Sequence, residues 1–284
     1  PTALTSLLIG TSLTGLAEPG SAQWVALAAW MALLTGALQL LLGLVRFGWL
    51  LNLVTSPVLS GFTQAAALLI LASQLPALTG LRVPLADLAA SPGVQHFDLL
   101  GAGMGLGSIA ALVLAKRFWP GFPAVIVVMG AAALASRALG YEAGGGAVVG
   151  ALPAGLPQPY WPGALPWGTL GALIMPVLVI TLVSFLETAS SAKVEHQEGG
   201  TRWNENQDLI AQGLAKISSG LCGSFTTSSS FSRSAINLYA GARTGWATLF
   251  ACALVLVALL WLTPALHHVP QSVLAAVVVT AITG

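Results

Sequence analysis

GLCGSFTTSSSFSRSAINLYAGA, residues 220–242, is the stretch whose reading decides how this chain folds. It lies between two strongly apolar regions, yet it carries eight Ser or Thr residues and one arginine. Its helical part, from about Phe231 to Gly241, gives only ~16 Å of helix at ~1.5 Å per residue, against a hydrocarbon core of ~30 Å. Such a helix cannot span a bilayer alone. Backbone at membrane depth stays non-helical only where it is buried in protein or lines a watery cavity, so Gly223–Ser230 is expected to be an extended run beside a pocket. The helix then begins near the bilayer midplane. Its free N–H groups and the Arg233 charge make an anion the natural occupant.

Composition sets the class. Hydrophobic residues are 56% of the 284 and charged residues only 7%, with a mean hydropathy of +0.86. These values describe a polytopic, all-α membrane protein. The net charge of +1 gives no case for nucleic acid. Cys222 and Cys252 lie in apolar surroundings with no CxxC spacing and read as buried free thiols. The chain opens on Pro1 inside an apolar run, without a signal-peptide pattern, and is expected to be part of a longer polypeptide.

Outward from the central stretch, apolar segments are expected at Pro1–Leu16, Gln23–Leu44, Pro57–Leu75, Asp98–Ala115, Pro120–Leu139, Thr169–Ala192, Asp208–Leu221, Gly245–Leu262 and Leu274–Gly284. Leu81–His96 and Lys193–Asn206 read as polar loops, and Gly140–Gly168 as a Gly/Pro-rich connection whose Trp161 and Trp167 suit the membrane interface. Alternating the segments across the bilayer collects Arg46, Lys116, Arg117, Lys193, Arg202 and Arg243 on one side, and Arg82 and Arg137 on the other. The richer side is expected to be cytoplasmic.

Pro1–Leu16 is short and hydroxyl-rich, like the central stretch. If the spans alternate, these two short segments run in opposite senses, which is the sequence pointer to the binding site of an inverted-repeat transporter. Both N-termini would then offer positive dipole ends to one anion.

The runs SFLETASSAK (184–193), NQDLIAQGLAKISSG (206–220), SSSFSRSAIN (228–237) and AGART (240–244) resemble the SulP anion-transporter family, the sulfate-permease group that includes pendrin and prestin. PTALTSLL (1–8), SPVLSGFTQAAALLILASQL (56–75) and VPQSVLAAVVV (269–279) extend the resemblance to nearly the whole chain. The resemblance implies fourteen segments in two inverted repeats of seven, of which this chain would hold roughly the third to twelfth. It implies a core domain (residues 1–44 and 169–265) moving against a gate domain (residues 45–168 and 266–284). A homodimer of the full-length protein and a place in the cell's inner membrane are also implied. Lys216 departs from the pattern, where a neutral residue such as Asn is expected.

The candidate anion contacts are Ser230, Phe231, Ser232 and Arg233 at the start of the second short helix. The resemblance adds Thr2 and Ala3 at the start of the first. Arg233 either supplies a positive field or ties the broken helix to backbone carbonyls; Ser230 and Ser232 either cap the helix or touch the substrate. Glu187 lies in an apolar span with Ser191 one turn on, on the same face. Some family members hold sodium with a carboxylate and a hydroxyl at that spacing. For Glu187 we expect proton coupling, with sodium coupling and a structural ion pair to Arg233 or Lys216 as alternatives. Favoured cargo is a small carboxylate such as fumarate, by resemblance to bacterial members, with bicarbonate and sulfate as rivals and a channel-like protein as the other class.

No cofactor is called for. His96, His267 and His268 read as loop residues at the interface and His196 as part of a polar turn; no pair has convincing metal-ligand spacing, so no metal site is assigned. The absence of a G-x-S-x-G turn and of a histidine within an apolar span argues against an intramembrane hydrolase. The alternating glycines of GAGMGLG (101–107) read as helix-packing surface.

Overall fold

The computed structural model describes residues 3–49, 56–81, 97–119, 122–151, 155–165, 167–199, 203–230, 233–234, 237, 241–242 and 244–283. Regular structure among the described residues is helical, with two isolated β-bridges and no named strand. The helices are α1 (Ala3–Leu13), α2 (Ala22–Leu44), α3 (Ser56–Thr79), α4 (Leu99–Phe118), α5 (Ala124–Ala138), α6 (Trp167–Gly199), α7 (Glu205–Leu221), α8 (Trp246–Val257) and α9 (Gln271–Thr283). Three of the described helices are long and apolar enough to cross a membrane: Ala22–Leu44, Leu99–Phe118 and Trp167–Ala192.

The chain divides into two compact units, one of Pro1–Ala66 with Pro157–Ala247, the other of Ala67–Leu156 with Thr248–Gly284. In the first, Ile9 and Leu13 of α1 pack with Leu27, Ala28 and Met31 of α2 and with Leu173 and Ile180 of α6. A second cluster joins Phe185 and Ala189 of α6 to Leu209 of α7. In the second unit, Leu78 of α3 meets Ala275 and Ala276 of α9, and Ala133 of α5 meets Val269 and Val273.

The closest approach in the first unit is between α2 and α7, and glycine makes it possible. A Cβ built on Gly213 would lie 2.6 Å from the Leu40 nitrogen, and one on Gly36 would lie 2.8 Å from the Gly213 carbonyl. Gly43 and Gly220, each seven residues on, face backbone at 2.9 Å in the same way. Small residues at this spacing let two backbones touch where lipid gives no hydrophobic drive for association. Of the GAGMGLG glycines, Gly101 and Gly105 are buried against neighbours, whereas Gly103 and Gly107 meet nothing within 4 Å. That motif is thus a packing surface on one side only.

Several segment boundaries differ from expectation, two of them informatively, and Cys222 and Cys252 are exposed rather than buried. Asp98 is the N-cap of α4 rather than its first helical residue; its carboxylate accepts the Gly101 N–H at 2.9 Å. α6 continues through Gly199, so much of the polar run after Lys193 extends the helix instead of forming a loop. Asn204 then caps α7 by accepting the Gln207 N–H at 3.1 Å. Polarity alone does not end a helix that has good formers such as Ala, Lys and Glu at its exit.

Candidate functional site

The site is built in the first unit around an interrupted segment. α7 stops at Leu221, and Gly223 turns the chain with φ 67, its Cα facing the Tyr160 ring. Residues 224–230 then run without regular structure. Their backbone is tied at the start by Ser219, whose hydroxyl donates to the Phe225 carbonyl at 2.7 Å and whose carbonyl accepts the Ser224 N–H at 3.0 Å. At the far end the Ser230 carbonyl accepts the Ser234 N–H at 3.0 Å, which makes Ser230 the N-cap of a new helix. Arg233, Ser234 and Asn237 are helical.

The stop is equally clear. Gly241 has φ 85, and the Ala242 N–H reaches back to the Asn237 carbonyl at 3.1 Å, the geometry of a Schellman ending. The ten positions between Ser230 and Gly241 leave room for at most ~15 Å of helix, about half a hydrocarbon core. α1, with 11 residues, is equally short.

Glu187 of α6 joins the two short elements. Its Oε2 accepts a hydrogen bond from Thr5 Oγ1 in the first turn of α1 at 3.2 Å, and another from Ser228 Oγ in the extended run. One carboxylate oxygen therefore bridges the start of α1 to the approach of the second short helix. Gln212 of α7 holds the next residue of the run, donating from Nε2 to Ser229 Oγ at 3.0 Å. The Thr226 and Thr227 hydroxyls are buried and make no hydrogen bond among the described residues.

Next to this layer lies a buried lysine. Lys216, with no solvent exposure, donates from Nζ to Gln39 Oε1 at 2.6 Å and to Ser184 Oγ at 2.5 Å. Gln39, equally buried, is oriented by its Nε2, which donates to the Thr181 carbonyl at 3.3 Å. The Glu187 carboxylate acts electrostatically on Lys216. A buried lysine amine needs hydrogen-bond acceptors, and Gln39 and Ser184 supply two of them.

The structure brings together part of what the sequence singles out. Glu187 is half-buried at the centre, and Ser191 is buried one helical turn on. Ser230 is half-buried at its cap, and Arg233 is exposed in the first helical turn. Ala3 opens α1. Thr2, Phe231 and Ser232 lie outside the described residues, as does the side chain of Ala3. Thr5, Ser228, Gln39, Ser184, Thr226 and Thr227 carry no individual signal in the sequence. The hydroxyl richness of SFTTSSS and PTALTS points in advance to Thr5, Thr226, Thr227 and Ser228, Ser184 opens the quoted run SFLETASSAK, and Gln39 has no signal.

A probable sulfate transporter of Arabidopsis thaliana is 31% identical over 297 residues, which is 100% of this chain and 43% of that protein. The chain spans about half the length of the curated relatives it matches. Among solved structures, the inward-facing murine solute carrier 26 member A9 anion transporter superposes with a TM-score of 0.86 at 21% identity, covering 99% of this chain and 51% of that one. The transmembrane domain of a cyanobacterial bicarbonate transporter gives 0.83 at 17% identity, covering 99% and 72%. These likenesses show the inverted-repeat transporter fold. The profile described as the sulfate permease family matches residues 1–284, and with a whole-chain match on that scale this chain belongs to the sulfate permease family.

Proposed function

We propose that this protein binds a small anion between the starts of α1 and the short helix capped by Ser230, and carries it across a membrane by alternating access. The observation that carries this reading is the Thr5–Glu187–Ser228 bridge, which draws two half-span helices to one point. Each helix N-terminus contributes roughly half a positive charge and free N–H donors. Thr2, Ala3, Ser230, Phe231, Ser232 and Arg233 surround the anion in this reading. Opposed half-helix starts of this kind bind anions without covalent chemistry.

Glu187 is the proton-coupling residue. Ionised, its carboxylate would repel an incoming anion; protonated, it is neutral and can still hydrogen-bond. Binding of the anion therefore favours uptake of a proton, and the two travel together. Lys216 compensates the carboxylate when the anion is away. A sodium ion held by Glu187 and Ser191 is the less favoured arrangement, because an ammonium already acts on that carboxylate.

The moving core comprises residues 1–44 and 169–265, and the gate residues 45–168 and 266–284. The full-length protein works as a homodimer in the cell's inner membrane. The cargo is a small carboxylate such as fumarate. Sulfate is the second reading, favoured by the naming of the 31% identical relative as a probable sulfate transporter.

Uptake of labelled fumarate, sulfate and bicarbonate by full-length protein in liposomes, with and without imposed proton and sodium gradients, tests all of this. We expect saturable uptake driven by an inward proton gradient. Current proportional to driving force, with no saturation, would reject the carrier in favour of a channel.

A further inference from the structure

In the second unit, three metal-ligating side chains converge, none of them used by the anion site. His267 Nε2 and His268 Nδ1 each lie 3.2 Å from the Glu142 carboxylate, His267 being equidistant from both oxygens. One ligand atom from each residue falls within 4.8 Å of the other two. The two rings stand at 66° with centroids 4.7 Å apart, so they offer different ring nitrogens to one point.

The loops that carry the trio are tied together by backbone hydrogen bonds. Val149 N–H bonds the Val269 carbonyl at 3.0 Å, Gly150 N–H the His267 carbonyl at 3.1 Å, and Gln271 N–H the Ala147 carbonyl at 2.9 Å. On the Glu142 side, the adjacent Tyr141 is buried, and its hydroxyl donates to Asp98 Oδ2 at 2.5 Å. Gly146 lies over the Tyr141 ring so closely that a Cβ there would be 2.4 Å from it. The turn carrying Glu142 is thereby clamped on both sides.

We propose that Glu142, His267 and His268 form a site for a divalent transition-metal ion, with Zn²⁺ the best fit. Two imidazole nitrogens and one carboxylate oxygen match that ion's preferences, and three protein ligands with a water in the fourth position is the open zinc arrangement. With metal–ligand bonds of ~2.0–2.2 Å, tetrahedral neighbours sit about 3.4 Å apart, close to the 3.2 Å found between each histidine and Glu142. Only the distance between the two ring nitrogens has to settle. All three residues are partly exposed, which leaves room for a water ligand and a route for the ion. Both loops also belong to the side that the basic-residue count assigns away from the cytoplasm.

The test is metal binding by the purified full-length protein with any affinity tag removed. Equilibrium dialysis against Zn²⁺ is expected to give one saturable ion per chain. Titration with Co²⁺ is expected to give the visible absorption of a low-coordinate ion with nitrogen and oxygen ligands. Glu142→Gln, His267→Gln and His268→Gln should each weaken binding at least about tenfold. The three side chains are partly exposed, so each variant is expected to elute as wild type in size exclusion. Absence of saturable binding to wild type overturns the proposal, and so does a triple variant that binds Zn²⁺ as tightly as wild type. The trio would then be a hydrogen-bonded tie between two loops.

Discussion

Thr5 and Ser228, far apart in sequence, donate to the same carboxylate oxygen, Oε2 of Glu187. That shared acceptor is the point at which the two interrupted elements meet. It makes Glu187 a structural link and, in the function proposed above, the group that senses the anion.

Glu187→Gln keeps an acceptor and the side-chain shape but removes the titratable charge. Uptake into liposomes is expected to persist while its stimulation by an inward proton gradient disappears. Undiminished stimulation in the variant would exclude Glu187 as the coupling group.

Ser228→Ala removes one donor from that oxygen and frees the extended run at its middle. The loss of a hydrogen bond to a charged group amounts to about 1.5–3 kcal/mol, so anion affinity should fall roughly 10-fold or more. A double-mutant cycle with Thr5→Val should be non-additive, because both hydroxyls act through one oxygen. Additive losses in half-saturation concentration would show that the two contacts are independent.

Lys216→Met leaves Gln39 and Ser184 buried without their donor and Glu187 without its compensating charge. A buried acceptor left without its donor costs about 1–3 kcal/mol. The detergent-solubilised protein should therefore unfold at a clearly lower temperature. Adding Gln39→Leu should recover part of the loss, since the orphaned amide oxygen goes with it; no recovery would mean that Gln39 is not the principal partner.

Gly213→Ala drives a methyl group to within 2.6 Å of the Leu40 backbone nitrogen, whereas Gly103→Ala meets nothing within 4 Å. Overpacking of this kind costs about 1–3 kcal/mol. Thermal unfolding should separate the two variants, with Gly213→Ala destabilised and Gly103→Ala near wild type. Equal behaviour would contradict the close α2–α7 approach.

Much of the fold was legible in local sequence. Apolar runs of sufficient length gave the positions of α2, α4 and the first part of α6, and turn chemistry at Gly223 and Gly241 bounded the interrupted segment. The cap at Asp98 and the continuation of α6 to Gly199 escaped, because a cap position and a helix exit depend on single hydrogen bonds and on the neighbours that tertiary packing brings to the helix end.

The sequence by itself determined that this is a membrane protein of helices, that two of its segments are too short to span, and that Glu187 lies in an apolar span. Those properties depend on composition, length and periodicity, which are local. Tertiary structure alone decided that Glu187 joins Thr5 to Ser228, that Lys216 is satisfied by Gln39 and Ser184, and that Glu142 meets two histidines 125 and 126 residues away. Hydrogen bonds and metal ligation act over about 3 Å of space. No spacing along the chain encodes such a distance when the partners arrive on different helices.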